Sequence, residues 1–341
     1  MNNDKIGGPS RRTLLRVAAG GLVGGLAAPL ATPFVVSSAA WAQAKYPARP
    51  IKVVVPFGAG GVADITVRIV TERLGEKIGG RFVIENAPGA GGSLAATRVA
   101  SSAADGYTLA LFSNGTAVSV GLFKQLPFDP VNGFVPISTL GLFDFVLATN
   151  KQTGYTKLAD LIADAKKRPG ALNIATVIAG STQNLSGVLF NSEADIKTEI
   201  VVYRTTPDAL VSVLRNDAQL VIDSYASLKG SIEDKNLVAL ATSGAKQSPV
   251  LPDVPPVAAT VPGFDATSWN ALFAKSGTPE EVVRILNASL QEVLVEDEVK
   301  RKLLELGIVA SASTPADLSA RLTSDIKRWS AVIDKAGIQK Q

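Results

Sequence analysis

The chain has 341 residues, no histidine, no cysteine and a formal net charge of +4. Without those two residue types, a Ser-His-Asp or Cys-His nucleophile, a histidine general base and a histidine- or cysteine-ligated zinc are all excluded. Disulfides are excluded too, so the packed core alone must hold the fold together. A chain of this length is long enough for one or two cores, and we expect two domains.

The first 44 residues have the pattern of a twin-arginine-type export signal. Arginines at 11–12 precede a moderately apolar run over residues 17–36, and small residues then offer cleavage after Ala42 or Ala44. A membrane anchor is the alternative, which glycines and prolines within the apolar run disfavour. Removal of the segment takes away four basic residues and one acidic residue, which leaves a net charge of +1. We therefore expect a periplasmic protein without a basic face for nucleic acid.

From Tyr46 onward, strand-like and helix-like segments alternate, which predicts an α/β architecture with a mostly parallel sheet. The expected strands cover residues 52–56, 82–85, 107–112, 145–149, 173–177, 199–203, 220–223, 238–241 and 269–273. The expected helices cover residues 62–78, 94–103, 158–165, a segment that begins near 182, 209–215, 226–234, 279–294, 299–306 and 315–336.

A glycine-rich loop joins the first expected strand to the first expected helix. Gly58, Gly60 and Gly61 let the backbone approach a ligand closely, because no Cβ intervenes. The first turn of a helix has N–H groups without intrahelical partners and a partial positive charge, so an anion is stabilised there. Asp64 stands where a dinucleotide fingerprint has its third glycine, and no P-loop lysine follows. The loop is either a carboxylate or phosphate cradle or an ordinary strand-to-helix turn.

Similar polar breaks recur further along the chain. Residues 86–93 form a second glycine-rich helix start, and two such starts so close in sequence could face one cleft. Residues 113–116 follow a strand at its carboxyl end, the edge at which open α/β sheets bind ligands. Residues 180–185 begin a helix with hydroxyl and amide side chains, which are either N-caps or ligand contacts.

Motifs over nearly the whole mature chain, residues 46–338, resemble one protein family. The matching motifs are Tyr46-Pro47, Arg49-Pro50-Ile51, Pro56-Phe57 with Gly60-Gly61 and Asp64, Asn86 with Pro88-Gly89-Ala90-Gly91-Gly92, Asp105-Gly106-Tyr107-Thr108-Leu109, Leu126-Pro127-Phe128-Asp129-Pro130, Phe134 with Pro136-Ile137, Lys166 with Pro169-Gly170, Pro252 with Val254-Pro255, Trp269 and Thr278-Pro279. In this order they resemble the periplasmic solute-binding proteins of tripartite tricarboxylate transporters, the Bug or TctC family.

The resemblance implies a two-domain periplasmic-binding-protein fold of the Venus-flytrap, type II-like class, with two crossover strands as its hinge. Domain 1 would take residues 46–148 plus 269–341, and domain 2 residues 149–268. Closure of the domains would capture a small organic carboxylate, such as a di- or tricarboxylate, an amino-acid-like acid or an aromatic acid. Membrane permease subunits would receive it. The resemblance implies a monomer without a cofactor, a metal or catalytic activity.

The resemblance also implies a set of ligand-contacting positions in the loops of both domains. These are Phe57, Ala59, Gly60, Gly61, Asp64, Ser113, Asn114, Thr116, Gly180, Ser181, Thr182, Gln183, Tyr203, Thr205, Thr206 and Asp223. Asp64 either contacts the ligand or only caps its helix, and Phe57 and Tyr203 either line the pocket or belong to the core. Arg204 is expected to be a solvated loop charge.

Three departures from the family pattern affect domain 2. Val202-Tyr203-Arg204-Thr205 replaces Pro-Tyr-Lys-Gly, Asn216-Asp217 replaces Gly-Gly, and Asn184 stands where histidine is common. The domain 2 half of the pocket is therefore the half in which the family's ligand contacts are open to question.

Two other functions fit the same sequence. An exported enzyme would use Asp64 or Asp223 as its base, and conversion of the ligand would distinguish it from a receptor. An exported ligand sensor would use the same closure to signal to a membrane partner, and uptake measured separately from gene induction would distinguish it from a transport receptor.

Overall fold

The computed structural model describes residues 46–89, 92–177 and 180–341. The predicted export signal, with its twin arginine and cleavage sites, lies outside the described residues. Within them, no helix is both long enough and apolar enough to span a lipid bilayer.

Strands and helices alternate over most of the chain, as the sequence predicts. The strands are β1 (Ile51–Val55), β2 (Phe82–Asn86), β3 (Thr108–Ser113), β4 (Phe134–Phe143), β5 (Phe145–Asn150), β6 (Asn173–Val177), β7 (Glu199–Tyr203), β8 (Leu220–Ser224), β9 (Leu237–Thr242), β10 (Ser268–Lys275) and β11 (Ile308–Ala310). The helices are α1 (Val62–Ile78), α2 (Ser93–Ala100), α3 (Asn114–Leu122), α4 (Leu158–Lys167), α5 (Thr182–Glu193), α6 (Thr206–Leu214), α7 (Tyr225–Glu233), α8 (Glu280–Val293), α9 (Asp297–Leu304) and α10 (Pro315–Lys335).

The strands form two sheets, with the orders β11-β4-β10-β3-β1-β2 and β7-β6-β8-β5-β9. We call the first sheet and its helices lobe 1, and the second sheet and its helices lobe 2. In lobe 1, β1 pairs parallel with β2 and β3, whereas β10 lies antiparallel between β3 and β4. In lobe 2, β6 pairs parallel with β7 and β8, whereas β5 is antiparallel to β8 and β9. Both sheets are thus mixed, and the expectation of a mostly parallel sheet was wrong.

The chain crosses between the sheets twice, and β5 and β10, the first strands after the two crossings, run antiparallel to both of their neighbours. Only Asp144 separates β4 from β5, so these strands form a nearly continuous run from one sheet into the other. The second crossing takes residues 243–267, between β9 and β10. Residues 145–148 pair within lobe 2, so sheet membership changes before the expected limit at residue 148. The limits 46–148 plus 269–341 and 149–268 stay a prediction for the domains.

Alternate residues of the buried strands pack on opposite faces of each sheet. In β1, Ile51, Val53 and Val55 join a cluster with α1 and α8, whereas Val54 points into a second cluster on the other face. That second cluster runs from lobe 1 into lobe 2 and includes Trp329 of α10. The core therefore continues across the boundary between the two sheets.

Helix α3 lies where the sequence indicates only a polar break after β3. Its glycines and β-branched residues lower its helix propensity, so local sequence argues against a helix. Tertiary contacts offset this, because α3 packs along α10 and the indole Nε1 of Trp329 donates a hydrogen bond of 2.8 Å to Asn114 Oδ1. Ser113 and Thr116 add a capping box at the helix start. The strands β4 and β11 were also missed.

Two carboxylates lie at the crossings between the lobes, Asp144 on the first and Asp265 on the second. Burial raises the pKa of Asp144 to about 6, and the negative charge of Asp265 adds to the increase. Arg328 of α10 balances Asp265 in part, with Nη1 at 3.6 Å from Asp265 Oδ2. The folded protein therefore binds a proton at Asp144 more tightly than the unfolded chain does.

We expect Asp144→Asn to raise the free energy of unfolding at about pH 8 by about 1–2 kcal/mol, because the folded wild type must hold a poorly solvated charge there. Wild-type stability should rise as the pH falls through about 6, and the difference between the two proteins should vanish below about pH 4. Urea unfolding at several pH values measures this, with the exposed Asp253→Asn as the control. A difference that does not change with pH would contradict the assignment.

Candidate functional site

Five helices begin at one cavity that residues of both lobes line. The N-cap residues of α1, α3, α5, α6 and α7 all lie on its wall; they are Gly61, Ser113, Ser181, Thr205 and Ser224. We call this space, with a volume of about 320 Å³, the central cavity. Each helix start contributes about half an elementary positive charge, so their convergence favours an anion in the cavity.

The start of α1 offers main-chain donors to the central cavity. No side chain caps this helix, so its first-turn N–H groups have no acceptor from a capping side chain. Gly61 has an ordinary φ of −79°, and a Cβ placed on it would have only Gly58 O within 4 Å, at 3.7 Å. The glycine thus leaves open space next to the helix start.

Asp64 supports the glycine loop from behind. Its carboxylate accepts hydrogen bonds from Gly60 N (2.9 Å), Arg68 Nε (3.0 Å) and Asn86 Nδ2 (2.9 Å), and its side chain is almost fully buried. Asn86 Nδ2 also donates to Phe57 O at 3.0 Å. Burial alone would raise the pKa of Asp64, but the hydrogen bonds from Arg68, Gly60 and Asn86 together lower it below its usual value. Asp64 was considered either as a ligand contact or as a structural residue at the helix start, and these hydrogen bonds correspond to the structural role.

Asp223 lies on the opposite wall of the central cavity, at the end of β8. It accepts hydrogen bonds from Thr206 Oγ1 (2.5 Å), Ser224 N (2.7 Å) and Gln183 Nε2 (3.4 Å), which belong to the starts of α6, α7 and α5. Burial raises the pKa of Asp223, and these hydrogen bonds lower it by less. Within the described part of the chain, no lysine or arginine nitrogen lies within 4 Å of its carboxylate. The wall of lobe 2 thus contains a buried carboxylate without a cationic partner.

Side chains of lobe 2 hold the start of α5 in place. Ser181 Oγ donates to Val177 O and accepts from Asn184 N at 3.1 Å, which caps the helix. Asn184 Oδ1 accepts from Gly180 N at 3.0 Å, and its Nδ2 donates to Thr176 Oγ1. Asn184, which stands where histidine is common in the family that the sequence resembles, therefore stabilises the loop that precedes α5.

A second space, the side cavity of about 480 Å³, adjoins the central cavity. The two cavities share Phe57, Ser113, Gly115 and Ser181, and Phe57 as a whole residue is 40% exposed. The side cavity is lined by Pro56, Phe57, Gly58, Pro88, Gly89, Gly92, Ser113, Gly115, Thr116, Ser119, Leu122, Phe123, Gly180, Ser181 and Gln341. It is therefore the more apolar and glycine-rich of the two spaces.

Most of the predicted ligand contacts line these two cavities. The central cavity includes Phe57, Gly61, Ser113, Ser181, Thr182, Gln183, Thr205, Thr206 and Asp223, and the side cavity adds Thr116 and Gly180. The lining of neither cavity includes Ala59, Gly60, Asp64, Asn114 or Tyr203. Asn114 is buried against Trp329, and Tyr203 Oη donates to Ser212 Oγ of α6 at 2.5 Å. As contacts to a ligand, all of these residues stay predictions.

Several lining residues were missed in the sequence. They are Val62, Ala63, Gly115, Phe143, Phe145, Val177, Ser224, Ser227, Ser268 and Asn270. Ser224 had a usable signal, because it follows Asp223 at a strand end. Asn270 had a weaker one, as a polar residue within an apolar strand. Arg204 is exposed, as expected for a loop charge, but its side chain also borders the central cavity.

No group of three or more acidic side chains suited to a metal ion occurs in the described ranges. The polar groups of the central cavity are hydroxyls, amides, the Asp223 carboxylate and the Arg204 guanidinium. Such a set is suited to recognising a small polar molecule by hydrogen bonds.

A profile of the tripartite tricarboxylate transporter family receptor, TctC, matches residues 66–338. The chain belongs to the TctC family. The TctC relative BugT of Bordetella pertussis is 32% identical over 295 residues, which cover 86% of this chain and 90% of that protein. The family resemblance found in the sequence is thereby confirmed.

Solved structures of similar proteins share the TctC fold. An R. palustris protein with adipate has a TM-score of 0.77 and 33% identity, over 86% of this chain and 98% of that one. MatC from Rhodopseudomonas palustris with bound malate has a TM-score of 0.72 and 32% identity, over 84% and 100% of the two chains. The predicted two-domain periplasmic-binding-protein fold is confirmed.

We expect Asp64→Ala to lower the free energy of unfolding by about 2–3 kcal/mol at pH 7, because Gly60 N, Asn86 Nδ2 and Arg68 lose their buried acceptor. The pKa of Asp64 is lowered in the folded protein, so this stabilisation is present above about pH 4 and is lost as the pH falls through the folded-state value. Urea unfolding at pH 7 and about pH 3 measures both effects. An equally large difference at both pH values would argue against the network.

Proposed function

We propose that this protein is an exported periplasmic receptor that captures a small organic carboxylate by domain closure and delivers it to the permease subunits of a tripartite tricarboxylate-type transporter. The proposal rests above all on the five helix N-caps that line one cavity, since main-chain donors there stabilise an anion without a cationic side chain. Binding of adipate and malate by structurally similar proteins supports a carboxylate as the ligand.

In this proposal, residues 1–44 are a twin-arginine-type signal, and the domains are 46–148 plus 269–341 and 149–268. The ligand carboxylate lies at the starts of α1 and α3, near Gly61, Ser113 and Gly115, where lobe 1 borders the cavity. Domain 2 covers the ligand with the starts of α5 and α6, including Ser181 and Thr205. The mature receptor acts as a monomer and needs no cofactor.

In this proposal, the receptor discriminates between carboxylic acids when its two domains close around the ligand. A ligand enclosed between the lobes loses its water, so each main-chain N–H or hydroxyl on the wall must find a new partner on the ligand. A donor or acceptor left unpaired costs about 1–3 kcal/mol, so an ill-fitting acid is bound much more weakly than a matching one.

The proposal assigns binding and not catalysis. Histidine and cysteine are missing from the sequence, and the carboxylate of Asp64 is occupied by hydrogen bonds that hold the glycine loop. Asp223 lines the cavity, but three groups of its own lobe already donate to it.

We expect a saturating carboxylate, at about 100 times its dissociation constant, to raise the free energy of unfolding by about 2.7 kcal/mol. Gly61→Val should abolish that gain, because the added side chain enters the space beside the start of α1. Thermal-shift screening of small carboxylic acids followed by calorimetry measures it. Gly61 is a better position than Gly60, whose φ of +81° makes any side chain a source of strain.

Gly230→Val serves as the control, since Gly230 is an exposed helix residue with nothing within 4 Å of an added Cβ. It should keep the full ligand-induced gain. Mass spectrometry of the ligand after incubation should recover it unchanged. Chemical conversion of the ligand, or full binding by Gly61→Val, would argue against the proposed receptor site.

A further inference from the structure

The two lobes differ in where their aspartate lies relative to the central cavity and in whether it is ion-paired. In lobe 1, Asp64 is paired with Arg68, whose Nη2 lies 2.9 Å from Oδ1, and this aspartate lies behind the glycine loop. In lobe 2, Asp223 lies on the cavity wall itself and has hydrogen bonds but no ion pair among the described residues. The helix starts of lobe 1 thus face the cavity without a carboxylate in front of them, whereas those of lobe 2 already surround one.

This difference sets the direction in which a carboxylate ligand binds. The positive ends of α5, α6 and α7 are offset by the Asp223 carboxylate, so a ligand anion gains little from approaching them. A second carboxylate at that wall would meet the like charge of buried Asp223, and buried charges interact more strongly than charges in water. The starts of α1 and α3 have no such anion on the cavity side and are the better position for the ligand carboxylate.

Asp223 also has capacity for one more donor. An ionised carboxylate offers about four acceptor sites, and the chain fills three of them, one only through a long contact of 3.4 Å from Gln183. Burial raises the pKa of Asp223, as expected of a carboxylate that lacks a cation. A donor group on the ligand would complete its hydrogen bonding.

Resting on the proposed receptor function, we propose that the ligand is a carboxylic acid with a hydrogen-bond donor, an ammonium or hydroxyl group, at its far end. Asp223 accepts from that donor and is the residue that selects such an acid over a diacid of the same length. The ligand class is therefore that of amino and hydroxy acids, with the ammonium group bound most tightly because it also neutralises the Asp223 charge.

Arg204 is the charged group that opposes this preference. It borders the same cavity, and a second carboxylate on the ligand could pair with its guanidinium. Its side chain is exposed, however, and exposed ion pairs contribute little because water and salt screen them. Buried Asp223 therefore dominates the choice.

The test compares four acids that each have six carbons and differ at the far end: hexanoate, 6-hydroxyhexanoate, 6-aminohexanoate and adipate. A four-carbon series of butanoate, 4-hydroxybutanoate, 4-aminobutanoate and succinate covers a shorter ligand. Calorimetry with the wild type should show the amino and hydroxy acids of one series bound about tenfold or more tightly than the diacid. In Asp223→Asn the diacid should gain about tenfold and the amino acid should lose about tenfold.

Asp217→Asn is the matched control, because Asp217 is an exposed aspartate of the same lobe outside both cavities. It should leave the order of affinities unchanged. A diacid bound most tightly by wild type and Asp223→Asn alike would overturn the inference and leave the receptor function standing. Diacid binding that is lost in Arg204→Gln would also overturn it. Failure of all eight acids to bind would overturn the inference, and failure of every acid in the thermal-shift screen would overturn the receptor function as well.

Discussion

Helix starts have main-chain N–H groups that need acceptors, and this requirement shapes the whole site. Ser113, Ser181 and Thr205 satisfy part of it from their own helices by accepting N–H bonds at the starts of α3, α5 and α6. The starts of α1 and α7 have no capping side chain. At α7 the Asp223 carboxylate accepts from Ser224 N, whereas the first turn of α1 is left to the cavity. A small anion at this position would be stabilised by the N–H groups of that first turn.

The glycine loop depends on residues that never reach the cavity. Asn86 at the end of β2 joins Phe57 O to Asp64, and Asp64 joins Gly60 N to Arg68, so a strand end, the loop and the first helix are fixed to one another. Exposed main-chain donors recognise a ligand only when their direction is fixed before it arrives. The affinity of the cavity for a ligand therefore depends on this hydrogen-bond network, which holds the glycine loop in a fixed position.

Local sequence patterns were enough to predict most elements and the helix starts, because strand alternation and glycine punctuation are local signals. Gly61, Ser181 and Asp223 were found in this way or through family motifs, and all three line the cavity. Local reasoning failed where distant residues decide. Helix α3 depends on Trp329, more than 200 positions away, and Phe143 and Phe145 reach the cavity only because the chain changes sheets between them. The directions of β5 and β10 follow from the first and the second crossing, respectively, and have no signature in either strand alone.

The single residue between β4 and β5 has a mechanical consequence. Side chains alternate along a strand, so one residue inserted beside Asp144 would turn Phe145 and every later side chain of β5 to the opposite face of its sheet. The connection between β4 and β5 therefore allows changes in its backbone dihedral angles but no inserted or deleted residue. A swing of one lobe against the other would have to be absorbed by a few backbone dihedral angles here and in the second crossing, whose Ser243 is hydrogen-bonded to Phe145. Displacement grows with distance from the point of rotation, so a small rotation at Asp144 would move residues at the rim of the cleft much further than residues next to Asp144.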